Sequence, residues 1–124
     1  IPAWPSYRPE DTGGSGKITQ AIRTNWCPLF EEHGVRVAFE HHDHTFKRTH
    51  PLRAGRVDPE GVTYLGDGAW GVELRKPDSK PRWYLAKSAQ MRHLYLVTLY
   101  PEARHVLAIN ENGQIFDEVY QRTR

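Results

Sequence analysis

Apolar positions along this chain recur with two periods. In residues 17–33, Ile18, Ala21, Ile22, Trp26, Leu29 and Phe30 are spaced three and four apart. That spacing gathers them on one stripe and predicts a helix with an apolar, core-facing side. Pro28 interrupts the stripe and predicts a kink or a restart. Gly34 stands where a helix end takes a left-handed residue, with His33 in the last turn. A short apolar run at 35–39 predicts a strand, and Val62-Thr63-Tyr64-Leu65 predicts another, closed by Gly66-Asp67-Gly68. From His93 onward the pattern is strand throughout: 93–99, 105–109 and 115–120, with Asn112-Gly113 as the hairpin turn between the last two. This meander is expected to be scaffold. Residues 1–16, rich in Pro, Gly and Ser, predict a loop over a surface, and 45–60 an irregular basic stretch. The order of elements predicts an α/β sandwich with sheets as its inner layers.

Composition narrows the choices. A chain of 124 residues makes one domain. Its mean hydropathy of -0.72 is low, but four Trp, six Tyr and four Phe supply large apolar anchors. The chain starts at Ile1 inside an apolar-Pro pattern and without Met, so a piece of a longer domain is expected. Net charge is +2 with pI near 8.8, and the basic residues are spread out. Without a basic stripe, nucleic acid is not an expected partner. No apolar run is long enough to span a membrane. Cys27 is the only cysteine, which excludes an internal disulfide; it is expected to pack as a small apolar residue.

The chemistry is concentrated just after the first strand, in His41-His42-Asp43-His44. If the strand runs on as extended chain, His42 and His44 point the same way, with Cα atoms about 6.5 Å apart. Two neutral imidazoles aimed at one spot are metal ligands by chemistry. They can share one ion, or hold one each of a pair about 3.5–4 Å apart. By alternation Asp43 points away from them, with orientation of an imidazole as a weaker role. Arg48 either steadies the loop or meets a phosphate. Asp67 is read as a turn residue, and His33, His50, His93 and His105 as surface or partly buried histidines.

Trp26-Cys27-Pro28-Leu29-Phe30-Glu31-Glu32-His33-Gly34-Val35 leading to His41-His42-Asp43-His44-Thr45-Phe46-Lys47-Arg48 resembles the last metal-binding block of calcineurin-like metallophosphoesterases, closest to the purple acid phosphatase branch. Gly61-Val62-Thr63-Tyr64-Leu65-Gly66-Asp67-Gly68 resembles that family's next strand and glycine turn. Asn112-Gly113-Gln114-Ile115-Phe116-Asp117 resembles its closing hairpin, and Ile1-Pro2-Ala3-Trp4-Pro5-Ser6 the segment after an earlier metal-binding His.

The resemblance implies the C-terminal portion of one four-layer α/β/β/α domain, divided as loop 1–16, helix, metal-loop and glycine-turn region 17–92, and meander 93–124. It implies a metal-dependent hydrolase of phosphate mono- or diesters with two divalent or trivalent ions (Fe, Zn or Mn). His42 would bind one ion and His44 the other, while the family's bridging Asp and its other upstream ligands are missing. The fragment alone, with two to three ligands, is therefore expected to be a poor catalyst. The missing N-terminal half is the implied partner, a homo-oligomer is possible, and a secreted or periplasmic location is implied. Two positions depart from the family pattern: His41 replaces its Gly, and Lys47 replaces its Glu. His41 is thus a candidate contact to metal or phosphate. The alternative is a non-enzymatic metal-binding or self-associating β-rich module. A cupin-like barrel also uses His-x-His, but expects a Glu about four residues on, where Thr45-Phe46-Lys47-Arg48 stand.

Overall fold

The computed structural model describes residues 1–122. Two helices come first, α1 (Gly13–Asn25) and α2 (Cys27–Glu32). Pro28 sits in the first turn of α2, so the proline restarts the helix where its missing N–H costs nothing. Strands β1 (Val37–Glu40), β2 (Phe46–Thr49), β5 (Thr63–Gly66) and β6 (Leu85–Ala89) form one sheet in the order β1-β5-β2-β6. Between β2 and β5 lies a small hairpin, β3 (Leu52–Arg53) with β4 (Arg56–Val57). β1 runs parallel to β5, and β2 antiparallel to both its neighbours. The tail is the expected meander, β7 (His93–Tyr100), β8 (Ala103–Asn110) and β9 (Ile115–Arg122), with antiparallel pairing throughout. The last two residues of the predicted 93–124 segment lie outside the described residues.

The mixed α/β architecture stacks helices, sheet and meander. Ala3, Trp4, Cys27, Leu52, Val62, Tyr64 and Tyr84 form the buried cluster beneath the helices, with Ile22 and Phe30 packed against it. On the sheet's other face, the wholly buried Phe46 meets Phe116 at 4.7 Å and His93 at 5.2 Å, both edge-to-face. Arg48, two residues on, points the same way and is bidentate on Asp117 of β9 at 2.7 and 3.1 Å. Alternation along β2 thus sends Phe46 and Arg48 to the meander, and Lys47 to the helical side.

Four expectations are corrected. Residues 45–60 are not irregular: they contain β2, a strand with neighbours on both sides. Residues 1–12 are loop as expected, but 2–6 are buried rather than laid over the surface, and α1 already begins at Gly13. Side chains beneath the segment satisfy its backbone: Lys47 donates to the Trp4 carbonyl, and Ala3 N–H donates to Glu40 at 2.6 Å. The stripe of 17–33 is not mainly core, because Ile18, Leu29 and Trp26 are exposed, Trp26 by 57%. The helix instead docks through polar groups: the Thr19 hydroxyl donates to the Pro2 carbonyl, and Arg23 lies 4.1 Å over the Trp4 ring while donating to the Ala3 carbonyl. Finally, His93 is fully buried, its Nε2 donating to the Gly66 carbonyl at 2.8 Å.

Candidate metal centre

The parallel strands β1 and β5 end in register, Glu40 beside Gly66. Two loops therefore leave the same sheet edge together, 41–45 with the histidines and 67–71 with the glycine turn. The crevice outside the carboxyl ends of parallel strands is where open α/β sheets place ligands. The loops are tied at their roots, since Asp67 N–H donates to the Glu40 carbonyl at 3.1 Å. They also touch: a Cβ on Gly68 would lie 2.7 Å from the His42 nitrogen, so only glycine permits this approach.

The extended continuation predicted for β1 is not what forms. His42 has φ +83° and His44 φ +57°, both in the left-handed region. Such backbones cost non-glycine residues about 1–3 kcal/mol each and persist only where surroundings impose them. Here they do. The buried Asp43 carboxylate accepts from Ser6 N–H at 2.7 Å and Tyr7 N–H at 3.2 Å, and pairs with Arg8 at 3.2 Å. The His42 carbonyl accepts from Arg8 at 3.0 Å and from Arg75 at 3.2 Å. The His44 carbonyl accepts from Arg75 N–H at 3.1 Å. Asp43 therefore does point away from the imidazoles, but its partners are Ser6, Tyr7 and Arg8, not a histidine ring.

The donor atoms are selected as well. His44 Nδ1 lies 3.1 Å from the Glu73 carbonyl, which can only accept, so Nδ1 carries the proton and Nε2 keeps the lone pair. That is the usual support for a metal-binding imidazole. His41, largely exposed, turns Nδ1 to Asp67, leaving its own Nε2 outward. Asp67 is thus more than a turn residue. His42 is exposed, and its pKa is lowered from the ordinary histidine value, first by desolvation, then by the charges of Arg8, the amino terminus, Arg75 and His44. Its imidazole is neutral at pH 7, the form that ligates. Arg48 reaches Asp117 in the meander and holds the sheets together.

The donor set suits iron, zinc or manganese in chemistry, imidazole nitrogen being a ligand for each. No cluster of three or more His, Cys, Asp or Glu able to hold a metal is found among the described residues. Arg8, Glu73 and Arg75, which fix the loop, escaped the sequence reading. They sit in polar stretches without periodicity, and nothing local marks them.

No protein-family model matches the chain. Over 70 residues, 53% of the chain, it is 31% identical to purple acid phosphatase 18 of Arabidopsis thaliana and covers 16% of that protein. Its fold matches that of purple acid phosphatase PPD1 from yellow lupin (Lupinus luteus) seeds with a TM-score of 0.70. That match spans 74% of this chain and 18% of the lupin chain, at 15% identity. The chain thus spans less than a fifth of either relative. The shared fold contains the mixed sheet, the helical layer and the closing meander.

Proposed function

We propose that this chain carries one side of the dinuclear metal site of a phosphoesterase. The observation that supports it best is the 41–45 loop, where two histidines in costly left-handed backbones are clamped by Asp43, Arg8 and Arg75 at the carboxyl ends of β1 and β5. Strain held in place by so many partners is spent where geometry matters. The likeness to purple acid phosphatases in sequence and fold points the same way. His42 and His44 would hold the ions, and ions bound there would supply Lewis acidity and a clamp for phosphate oxygens. The chain's own residues do the rest. Glu73 fixes the tautomer of His44, Asp67 holds His41 by its Nδ1, and the buried Asp43 keeps the loop from relaxing. His41 would meet a phosphate oxygen. Arg48 and Asp43 serve as scaffold. The remaining ligands would come from a longer polypeptide. A secreted or periplasmic location is part of this proposal; no described helix is long and apolar enough to cross a membrane.

The test is calorimetric titration of zinc or manganese into wild type and His42→Ala/His44→Ala. Loss of binding in the double variant is expected; equal affinity overturns the assignment. In a protein extended upstream to include an Asp-x-His and a Gly-Asn-His block, His44→Ala should lower turnover of bis(para-nitrophenyl) phosphate by about 10² or more.

One observation favours a second reading, a self-associating module. β1 is an unpaired sheet edge, and β7, the outer strand of the meander, exposes Leu94, Leu96 and Leu99, Leu99 by 75%. Open edges and apolar patches of this kind pair with other chains. Sedimentation of the chain over a concentration series tests it; a monomer throughout would exclude it.

A further inference from the structure

The two arginines on the His42 carbonyl are not equivalent. Arg8 is neutralised by the buried Asp43, with Nε 3.2 Å from the carboxylate. Arg75 pairs with no carboxylate among the described residues. One of its five N–H donors goes to the His42 carbonyl, and its guanidinium lies 5.3 Å over the Tyr7 ring. Its backbone N–H is fixed to the His44 carbonyl, so the side chain starts from a point in register with both histidines. The uncompensated charge therefore sits at the mouth of a loop that would bind cations.

A guanidinium beside metal ions is repelled unless an anion lies between them. With an anion there, both interactions become attractive. A guanidinium's planar fork matches the oxygen spacing of phosphate. Half-buried and steadied by Tyr7, this one loses less freedom on binding than a free surface arginine.

We propose that Arg75 is the anion clamp of this site, donating to a non-bridging oxygen of the phosphate ester. This deepens the phosphoesterase reading and rests on it.

The test is titration of inorganic phosphate into the chain, with and without saturating zinc, for wild type, Arg75→Ala, Arg75→Lys and Arg104→Ala. Arg104, on β8, has no ion-pair partner among the described residues and controls for net charge. Arg75→Ala is expected to weaken phosphate binding about tenfold or more, Arg75→Lys to weaken it less, and Arg104→Ala to leave it unchanged. Zinc affinity should be the same in wild type and Arg104→Ala, and the Arg75 variants are compared with wild type at a zinc concentration that saturates each. Equal losses for Arg75→Ala and Arg104→Ala, or none for either, overturn the proposal. If His42→Ala/His44→Ala binds zinc as tightly as wild type, the phosphoesterase reading falls. The metal-free titration then still decides Arg75, and equal affinities for wild type and Arg75→Ala end its role as a clamp. Arg75→Lys keeps the charge and the stem, so a folded Arg75→Lys protein keeps the comparison valid if Arg75→Ala unfolds.

Discussion

Lys47 on β2 reaches across β5 to pair with Glu40 on β1, passing over Gly66. Strand order makes this possible: Glu40 and Lys47 are both in register with Gly66, one on each side. A Cβ at Gly66 would come within 2.5 Å of Lys47 Cγ, so the glycine leaves the channel through which the lysine runs. The ammonium ends between the Glu40 carboxylate and the Trp4 carbonyl, with the side chain 1% exposed. One ion pair thereby joins two strands and the N-terminal segment directly behind the histidine loop.

Removing one member of a buried pair leaves an uncompensated charge and costs about 3–5 kcal/mol. Lys47→Met is therefore expected to lose about that much in urea unfolding, and Lys47→Met/Glu40→Gln to recover part of it. Amide exchange at Ala3 and Trp4 should accelerate in the single variant. Unchanged protection there would mean that the pair does not hold the segment.

Gly68→Ala tests the contact between the two loops. The added methyl must displace the His42 backbone, which it would otherwise approach within 2.7 Å. Zinc affinity is expected to fall about 10–100-fold, the range for groups that support ligands, while the melting temperature changes little. Affinity equal to wild type would show that the loop tolerates the shift.

Phe46 is the central contact between sheet and meander. Phe46→Ala is expected to cost about 3–5 kcal/mol. Phe46→Leu should cost less, since more of the volume is kept. Chemical denaturation of the two variants side by side measures both.

Burial pushes the Cys27 thiol above its ordinary pKa of 9.0, desolvation being the largest cause. The folded state favours the neutral thiol, so this contribution to stability is complete below the unfolded thiol's pKa. It is lost as pH rises from there toward the folded value. Alkylation by iodoacetamide at pH 8 should be slow in the native protein and fast in urea. Equal rates would mean that the thiol is accessible in the folded state.

What the sequence determined by itself was local. Periods of two and of three to four residues placed the meander, β1, β5 and the helices, and Asn112-Gly113 marked a true hairpin in which Gly113 takes φ +78°. The His-x-His pair stood out by residue type, but the extended chain that its spacing implied does not form: His42 and His44 take left-handed backbones. Tertiary structure alone decided what the polar residues do. By resemblance, Lys47 stands only as a base replacing the family's Glu. It is buried because β5 lies between β1 and β2 and brings Glu40 opposite it. His93 read as a surface or partly buried histidine, yet it packs beside Phe46 and shares the Gly66 carbonyl with the Tyr95 hydroxyl. Residues 1–6 look like loop by composition, but Lys47, Glu40 and Asp43 satisfy their backbone inside the fold. Arg75 sits in a stretch without pattern and is drawn to the histidines only by the fold of the loop that contains it. Periodicity reports which way a side chain points along its own element. The partner it meets depends on strand order and loop closure, which bring together residues far apart in the chain.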